Sequence, residues 1–285
     1  MSTPQTLEVP GYQVMQFLGS GARSTIWQIK DHRTARVFAL KRVVKRQSSD
    51  QRYLDMAANE YQIGVRFNHP VIRRVHSFKR VKRWMSLKEV HMVMEFCPGR
   101  TLQDHPPEDV REVVRVYSEV ATALAYMNAH GFVHADIKPN NIIVATDGAV
   151  KIIDLGQSCR LGTIKDRIQG TPDFIAPEQV HRHPLDGRTD VYNFGAAMYW
   201  TLTGRPIPTL MGSKGVISMM SDLVVVPAEQ INPKVPTALG RLILDCIEFQ
   251  PPHRPQSMNE VVSRLSLIAH VMDRDPNVPP DLEGV

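Results

Sequence analysis

His134-Ala135-Asp136-Ile137-Lys138-Pro139-Asn140-Asn141-Ile142-Ile143-Val144 is a polar loop caught between the end of a helix-periodic stretch and a short apolar run. A carboxylate, an ammonium and a carboxamide in one short loop, held by regular elements on both sides, is the setting in which catalytic groups sit. Asp136 can receive a hydroxyl proton, Lys138 can offset charge on a transferred phosphoryl group, and Asn141 can give a neutral oxygen to a hard metal ion. Downstream, Ile152-Ile153-Asp154-Leu155-Gly156 ends another apolar run in an aspartate followed by a flexible glycine. Asp154 can chelate a metal that bridges phosphates.

Working outward toward the N-terminus, Leu18-Gly19-Ser20-Gly21-Ala22-Arg23-Ser24 sets two glycines where no Cβ bars a backbone from phosphate oxygens. Ile26-Trp27-Gln28-Ile29 follows as a second strand, not as the helix of a dinucleotide-binding turn, so a hairpin lying over a nucleotide fits better. Phe38-Ala39-Leu40-Lys41 ends an apolar strand in a lysine, and Glu60 is the acidic partner that could position it.

The chain changes character near residue 97. Before it, Thr25–Ile29, Arg36–Val43, Val71–Phe78 and Val90–Phe96 read as strands, interrupted by a helix over Gln51–Phe67 that Asn68-His69-Pro70 stops. After Pro98-Gly99, Val110, Val113, Val114, Tyr117, Val120, Leu124 and Met127 recur at helical steps and predict a core-facing stripe closed by Gly131. Further helices are expected over Thr189–Thr203, Pro236–Phe249 and Ser257–Met272. These elements predict an α+β chain: a small strand-rich lobe over 1–97, a larger helical lobe over 98–272 and a loose proline-rich tail over 273–285.

Taken in order, Gly19 and Gly21, Lys41, Glu60, the His-x-Asp loop with Lys138 and Asn141, and Asp154-Leu155-Gly156 resemble a eukaryotic-type (Hanks-type) serine/threonine protein kinase domain from about Tyr12 to Met272. Gly170-Thr171-Pro172-Asp173-Phe174-Ile175-Ala176-Pro177-Glu178, Asp190-Val191-Tyr192-Asn193-Phe194-Gly195 and Arg254 extend the match. The resemblance implies the bilobal kinase-like fold, with an antiparallel sheet and one main helix in the first lobe. It implies ATP and magnesium, or manganese in its place, as cofactors, and transfer of the γ-phosphoryl group to serine or threonine hydroxyls of a protein substrate.

By the same resemblance Gly19 to Ser24 cover the phosphates, Lys41 oriented by Glu60 contacts the α- and β-phosphates, and Ile26, Ala39 and Ile143 sandwich the adenine. Backbone groups of Glu95 and Cys97 would reach the adenine edge, with Met94 guarding the pocket behind. Asp136 would deprotonate the acceptor, Asn141 and Asp154 would hold the metal, Glu178 and Arg254 would form a buried ion pair, and Asp190 would tether the catalytic loop. Lys138 and Thr171 resemble the serine/threonine class. Asn140 stands where a glutamate often marks a preference for basic peptides, so no such preference is expected.

Four positions depart from the family pattern, and two of them carry expectations of their own. Ala135 replaces an arginine that usually receives an activation-segment phosphate, so phosphorylation at Ser158 or Thr163 is expected to be dispensable. Leu155 replaces a phenylalanine and Ser24 a third glycine. Gly64 stands one turn after Glu60 where a bulky apolar residue is usual, which predicts a Glu60 incompletely docked without nucleotide or a partner.

The 285 residues, 42% hydrophobic and 22% charged, suffice for two cores. No apolar run reaches the roughly 18 residues of a membrane span, and Met1–Pro10 lacks a secretory pattern, so a cytoplasmic location is expected. Cys97, Cys159 and Cys246 are too scattered for a disulfide framework or a metal knuckle. The net charge of +5 is uneven: Arg66, Arg73, Arg74, Lys79, Arg80, Lys82, Arg83 and Lys88 form a stretch without acidic residues. That stretch over 66–88 reads as a solvated hairpin surface or as a site for an anionic partner; no nucleic acid is expected. The rival from another class is a pseudokinase or nucleotide-binding scaffold acting by docking, against which Lys41, Asp136 and Asp154 all stand. A small-molecule phosphotransferase is disfavoured by Ala176-Pro177-Glu178 and Arg254.

Overall fold

The computed structural model describes residues 7–21, 23–83, 86–207, 210–211, 217–218 and 225–274; the expected tail from Pro276 to Val285 lies outside them. The chain divides into two compact units, 1–98 and 99–285.

In the first unit, β1 (Tyr12–Ser20), β2 (Ser24–Asp31), β3 (Val37–Val44), α1 (Gln51–Gly64), β4 (Val75–Arg83) and β5 (Ser86–Glu95) follow in sequence. The strands form one antiparallel sheet in the order β1-β2-β3-β5-β4. Pleating sends alternate residues to opposite faces. One face carries Ala39, Met92 and Met94 with Ile26, Tyr61 and Phe78 packed against them, and beside these Val43, Leu54, Ala57 and Val90, so α1 closes this side. The other face gathers Ile29, Leu40 and Val93 with Tyr12, Val14, Trp27 and Phe38.

Several boundaries differ from the sequence reading: β5 begins at Ser86 instead of Val90 and α6 ends at Cys246 instead of Phe249. The strand expected at Val71–Phe78 begins at Val75 and runs on to Arg83. Val71 and Ile72 are buried in a turn instead, where His69 accepts from both their amides: its Nδ1 from Val71 at 3.2 Å and its carbonyl from Ile72 at 3.1 Å. The basic continuation tolerates strand geometry because β4 is the edge of the sheet; exposed Lys79, Arg80 and Lys82 there disfavour pairing with another chain. Helix α1 ends at Gly64, before Phe67, and the chain winds on in tighter turns, Arg66 N donating to Ile63 O at 3.0 Å and Phe67 N to Gly64 O at 3.3 Å.

The second unit is built on α2 (Val110–Ala129), preceded by β6 (Gly99–Thr101). Asp109 caps α2 by accepting from Arg111 N, and every residue of the expected stripe is buried, as are Val116 and Ala123. A helix apolar on so much of its circumference must be enclosed. It packs on α4 (Gly187–Thr203) and α7 (Met258–Arg274), with Tyr117 edge-on to Phe194 at 5.3 Å and its hydroxyl 2.8 Å from Thr201 Oγ1. Asp186 caps α4, and Gly204, at φ 69°, ends it in the left-handed conformation that costs glycine nothing. Short strands β7 (Phe132–Val133), β8 (Ile142–Ala145), β9 (Val150–Ile152) and β10 (Cys159–Arg160), the short helix α3 (Pro177–Val180), and helices α5 (Ala228–Ile231) and α6 (Thr237–Cys246) complete it, along with a two-residue strand pair at Leu210–Met211 and Ile217–Ser218.

Candidate active site

The candidate residues fall on both units. In the first, β1 and β2 converge through Gly19↔Ile26 and Ser20↔Thr25, and Gly21 N donates to Ser24 O at 2.9 Å to close the turn. A Cβ on Gly21 would come within 2.9 Å of Ser24 Oγ, a contact that rotation of the serine side chain could relieve. The cross-strand pairs Ile26↔Lys41, Lys41↔Met92 and Ala39↔Met94 put these residues on the sheet face that α1 covers. Met94 is fully buried behind that face; Glu95 ends β5, and its amide donates to Arg74 O at 2.9 Å. Cys97 Sγ lies 3.9 Å from Glu95 O.

Lys41 Nζ donates to Glu60 Oε2 at 2.6 Å. The expectation of an incompletely docked Glu60 is therefore corrected: its carboxylate is 1% exposed and paired, although Gly64 leaves a side chain missing one turn on. The physical reason is a second cation, since Arg73 Nη2 donates to Glu60 Oε1 at 3.1 Å. Asp50, just before α1, was invisible to motif reading. It accepts from Arg23 Nε at 2.8 Å and from the amides of Arg46 and Gln47, tying the glycine-rich turn to the helix start.

In the second unit the loop after β7 carries Asp136. Its Oδ2 accepts from Lys138 Nζ at 2.9 Å, and its Oδ1 accepts from Thr171 Oγ1 at 3.2 Å. Lys138 also donates to Thr171 Oγ1 at 2.7 Å, so carboxylate, ammonium and hydroxyl form a closed triangle. Burial raises Asp136 above the usual carboxylate range, and the Lys138 charge pulls it back. The loop is fixed from beneath by Asp190, which accepts from His134 N at 3.0 Å, Ala135 N at 2.9 Å and Asn128 Nδ2 at 2.8 Å.

Asn141 Nδ2 donates to Asp136 O at 2.8 Å, which commits the amide nitrogen and leaves its oxygen as the donor suited to a cation. The register Ile142↔Ile152 and the bond from Ile153 N to Asn141 O at 2.8 Å bring Asn141 and Asp154 to the same end of the β8–β9 hairpin. Asp154 adopts φ 65° and accepts from Gly156 N at 3.2 Å; Ala135 adopts φ 61°. Non-glycine residues in this region cost free energy and cluster where function demands a particular side-chain direction. Among the described residues no three His, Cys, Asp or Glu side chains gather as a metal-binding group. One carboxylate and one carboxamide instead suit magnesium, which keeps waters and takes much of its shell from phosphates. Ile143 sits in β8, paired with Thr101 and Lys151.

Behind the loop, Arg254 binds Glu178 through both ends of its guanidinium, at 2.9 and 3.0 Å, with the arginine side chain fully buried. Gln179 was not singled out from the sequence. Its Nε2 donates to Ala135 O at 2.8 Å and Gln169 O at 3.2 Å, while its Oε1 accepts from Asn193 Nδ2 at 2.9 Å and Ala176 N at 3.0 Å. A buried glutamine directly after Pro177-Glu178 was the available signal, because an amide there must find four partners or stay out of the core.

Residues 12–265 match a model of the protein kinase domain. The chain is 27% identical over 264 residues to a probable serine/threonine-protein kinase of Clostridium acetobutylicum, covering 90% of this chain and 39% of that protein. It is 28% identical to the serine/threonine-protein kinase PknB of Mycolicibacterium smegmatis, covering 98% and 46%, and 27% identical to PknA of Mycobacterium tuberculosis, covering 81% and 55%. The chain thus spans about half or less of the length of these curated relatives.

Proposed function

The chain belongs to the protein kinase domain family, and from that premise we propose that it is a serine/threonine protein kinase that moves the γ-phosphoryl group of ATP to protein hydroxyls. The observation that carries the reading is the triangle in which Asp136 and Lys138, on a loop held by Asp190, meet Thr171 from a later segment. Burial makes Asp136 more basic than an exposed aspartate, which suits it to orient and accept the proton of an incoming hydroxyl. Lys138 is in reach to balance charge that gathers on the phosphoryl oxygens. Asn141 and Asp154 would hold magnesium, which when bound neutralises charge on the phosphates.

In the first unit Lys41, with Glu60 as its partner, would bind the α- and β-phosphates, and Gly19, Gly21 and Ser24 would let the backbone cover them. Ile26, Ala39 and Ile143 would enclose the adenine, with Met94, Glu95 and Cys97 along its edge. Acceptors would be Ser or Thr of a protein substrate. A scaffold without transfer would be expected to lack Lys41, Asp136 or Asp154, and all three are present. No described helix is long and apolar enough to cross a membrane. A cytoplasmic setting belongs to the proposal because ATP is the donor it invokes. The exposed basic residues of β4 remain an offer to an anionic partner, with Arg73 already spent on Glu60.

Purified chain incubated with ATP, magnesium and a generic acceptor protein should yield metal-dependent phosphoserine or phosphothreonine by mass spectrometry. Asp136→Asn should lower the rate by about 10²–10⁴-fold while leaving nucleotide binding in place. Nucleotide binding without transfer in the unaltered chain would turn the reading to the scaffold.

A further inference from the structure

Helix α1 has an uneven inner face. Its buried positions are Leu54, Ala57, Glu60, Ile63 and Gly64. Leu54 and Ala57 join Val43 and Val90 in an apolar cluster, but in the second half a carboxylate and a glycine occupy two of the three inward positions. Glu60 and Gly64 lie one turn apart on the same side of the helix, so along that line the last turn offers no apolar side chain, and Ile63 and Tyr61 on either side carry its packing. Glu60 answers with both oxygens: Oε2 accepts from Lys41 of β3 and Oε1 from Arg73, which lies in the segment leading into β4. Arg73 is 11% exposed, and a guanidinium is drawn that far from water only against a partner.

We propose that Arg73 is a positioning residue that holds Glu60, and with it the C-terminal half of α1, in place independently of Lys41. Lys41 has obligations in two directions on the kinase reading, toward Glu60 and toward nucleotide phosphates. A carboxylate fixed by a second cation stays in place while the lysine ammonium divides its protons between them. The end of α1 is thereby held by an ion pair from outside the helix as well as by its own apolar contacts. The catalytic half of this inference rests on the proposed kinase activity; the structural half does not.

The test is amide hydrogen exchange of the nucleotide-free full chain, with α2 as internal reference, alongside KM for ATP and kcat. In Arg73→Met, exchange of the Ala57–Ile63 amides should quicken about tenfold or more while that of α2 is unchanged, because local opening is governed by local contacts. KM for ATP should rise about tenfold with a smaller fall in kcat, since Lys41 then loses its oriented partner. Arg73→Lys should recover part of both effects. Should Arg73→Met fail to fold, Arg73→Gln, which keeps a neutral donor, replaces it in the same comparison. Unchanged α1 exchange in a folded Arg73 variant overturns the proposal, as does an unchanged KM in an active one. If the unaltered chain transfers no phosphoryl group yet Arg73→Met loosens α1, the kinase reading falls and the brace on the helix stands.

Discussion

Asp190 has no proton to give or take in the proposed reaction, yet three N–H groups converge on its carboxylate. Burial pushes it up to about 6 from 3.8 against those donors, and burial pushes its neighbour His134 down to about 4 from 6.5. The two shifts act on stability with opposite sign. His134 binds its proton less well when folded, so its contribution is present above 6.5 and is lost as pH falls toward 4. Asp190 binds its proton better when folded, so its contribution is present below 3.8 and is lost as pH rises through 6. Between pH 4 and 6 the two largely offset each other in the native protein. In Asp190→Asn only the histidine slope remains, and melting temperature should rise more steeply with pH across 4–6.5 than in the unaltered chain. Parallel profiles from thermal melts would show that one of these two groups is not shifted as its burial implies.

At the scale of elements, Gln179 is the clearest case of a side chain joining separate segments, since it links the loop carbonyl of Ala135, the carbonyl of Gln169, the start of α3 and Asn193 of α4. Gln179→Leu keeps much of the volume and deletes four bonds, so the buried groups left behind should cost about 3 kcal/mol or more. Urea titration measures this directly. The same residue marks where sequence reading runs short. Helical periodicity identified α2, and runs rich in Val, Ile, Phe and Trp identified β2, β3 and β5. Sequence reading misplaced the start of β4 because Val71 and Ile72 are as apolar as strand residues but serve a turn governed by His69. It overlooked Gln179 and Asp50 because their partners are mostly backbone groups, which no pattern of side chains announces. The charged members of the candidate site were legible because each is expensive to bury and stands in a motif of fixed spacing. The Arg73–Glu60 contact was not, since an arginine in a basic run reads as one more surface charge.

On the scale of the larger unit, Arg254 binds segments far apart in the chain: Glu178 through its side chain, and the carbonyls of Arg188, Glu248 and Phe249, with the Tyr192 ring 4.9 Å from its guanidinium carbon. Arg254→Met should cost about 3–5 kcal/mol in equilibrium unfolding, because Glu178 is left charged and enclosed. Adding Glu178→Leu should recover a large part of that loss, since the pair's worth lies mainly in not leaving either member alone. A double variant no better than the single would mean that the arginine's carbonyl bonds, not its ion pair, hold these segments.

Ser158 lies 1% exposed with its hydroxyl donating to His134 O, and Ala135 beside that carbonyl has only a methyl group in a left-handed turn. A modifying enzyme would find no hydroxyl to reach at Ser158, and a phosphate added nearby would meet no guanidinium from position 135. On the proposed reading, the catalytic loop holds this shape with no phosphate at Ser158, so its geometry is set by the hydrogen bonds beneath it rather than by a charge added there.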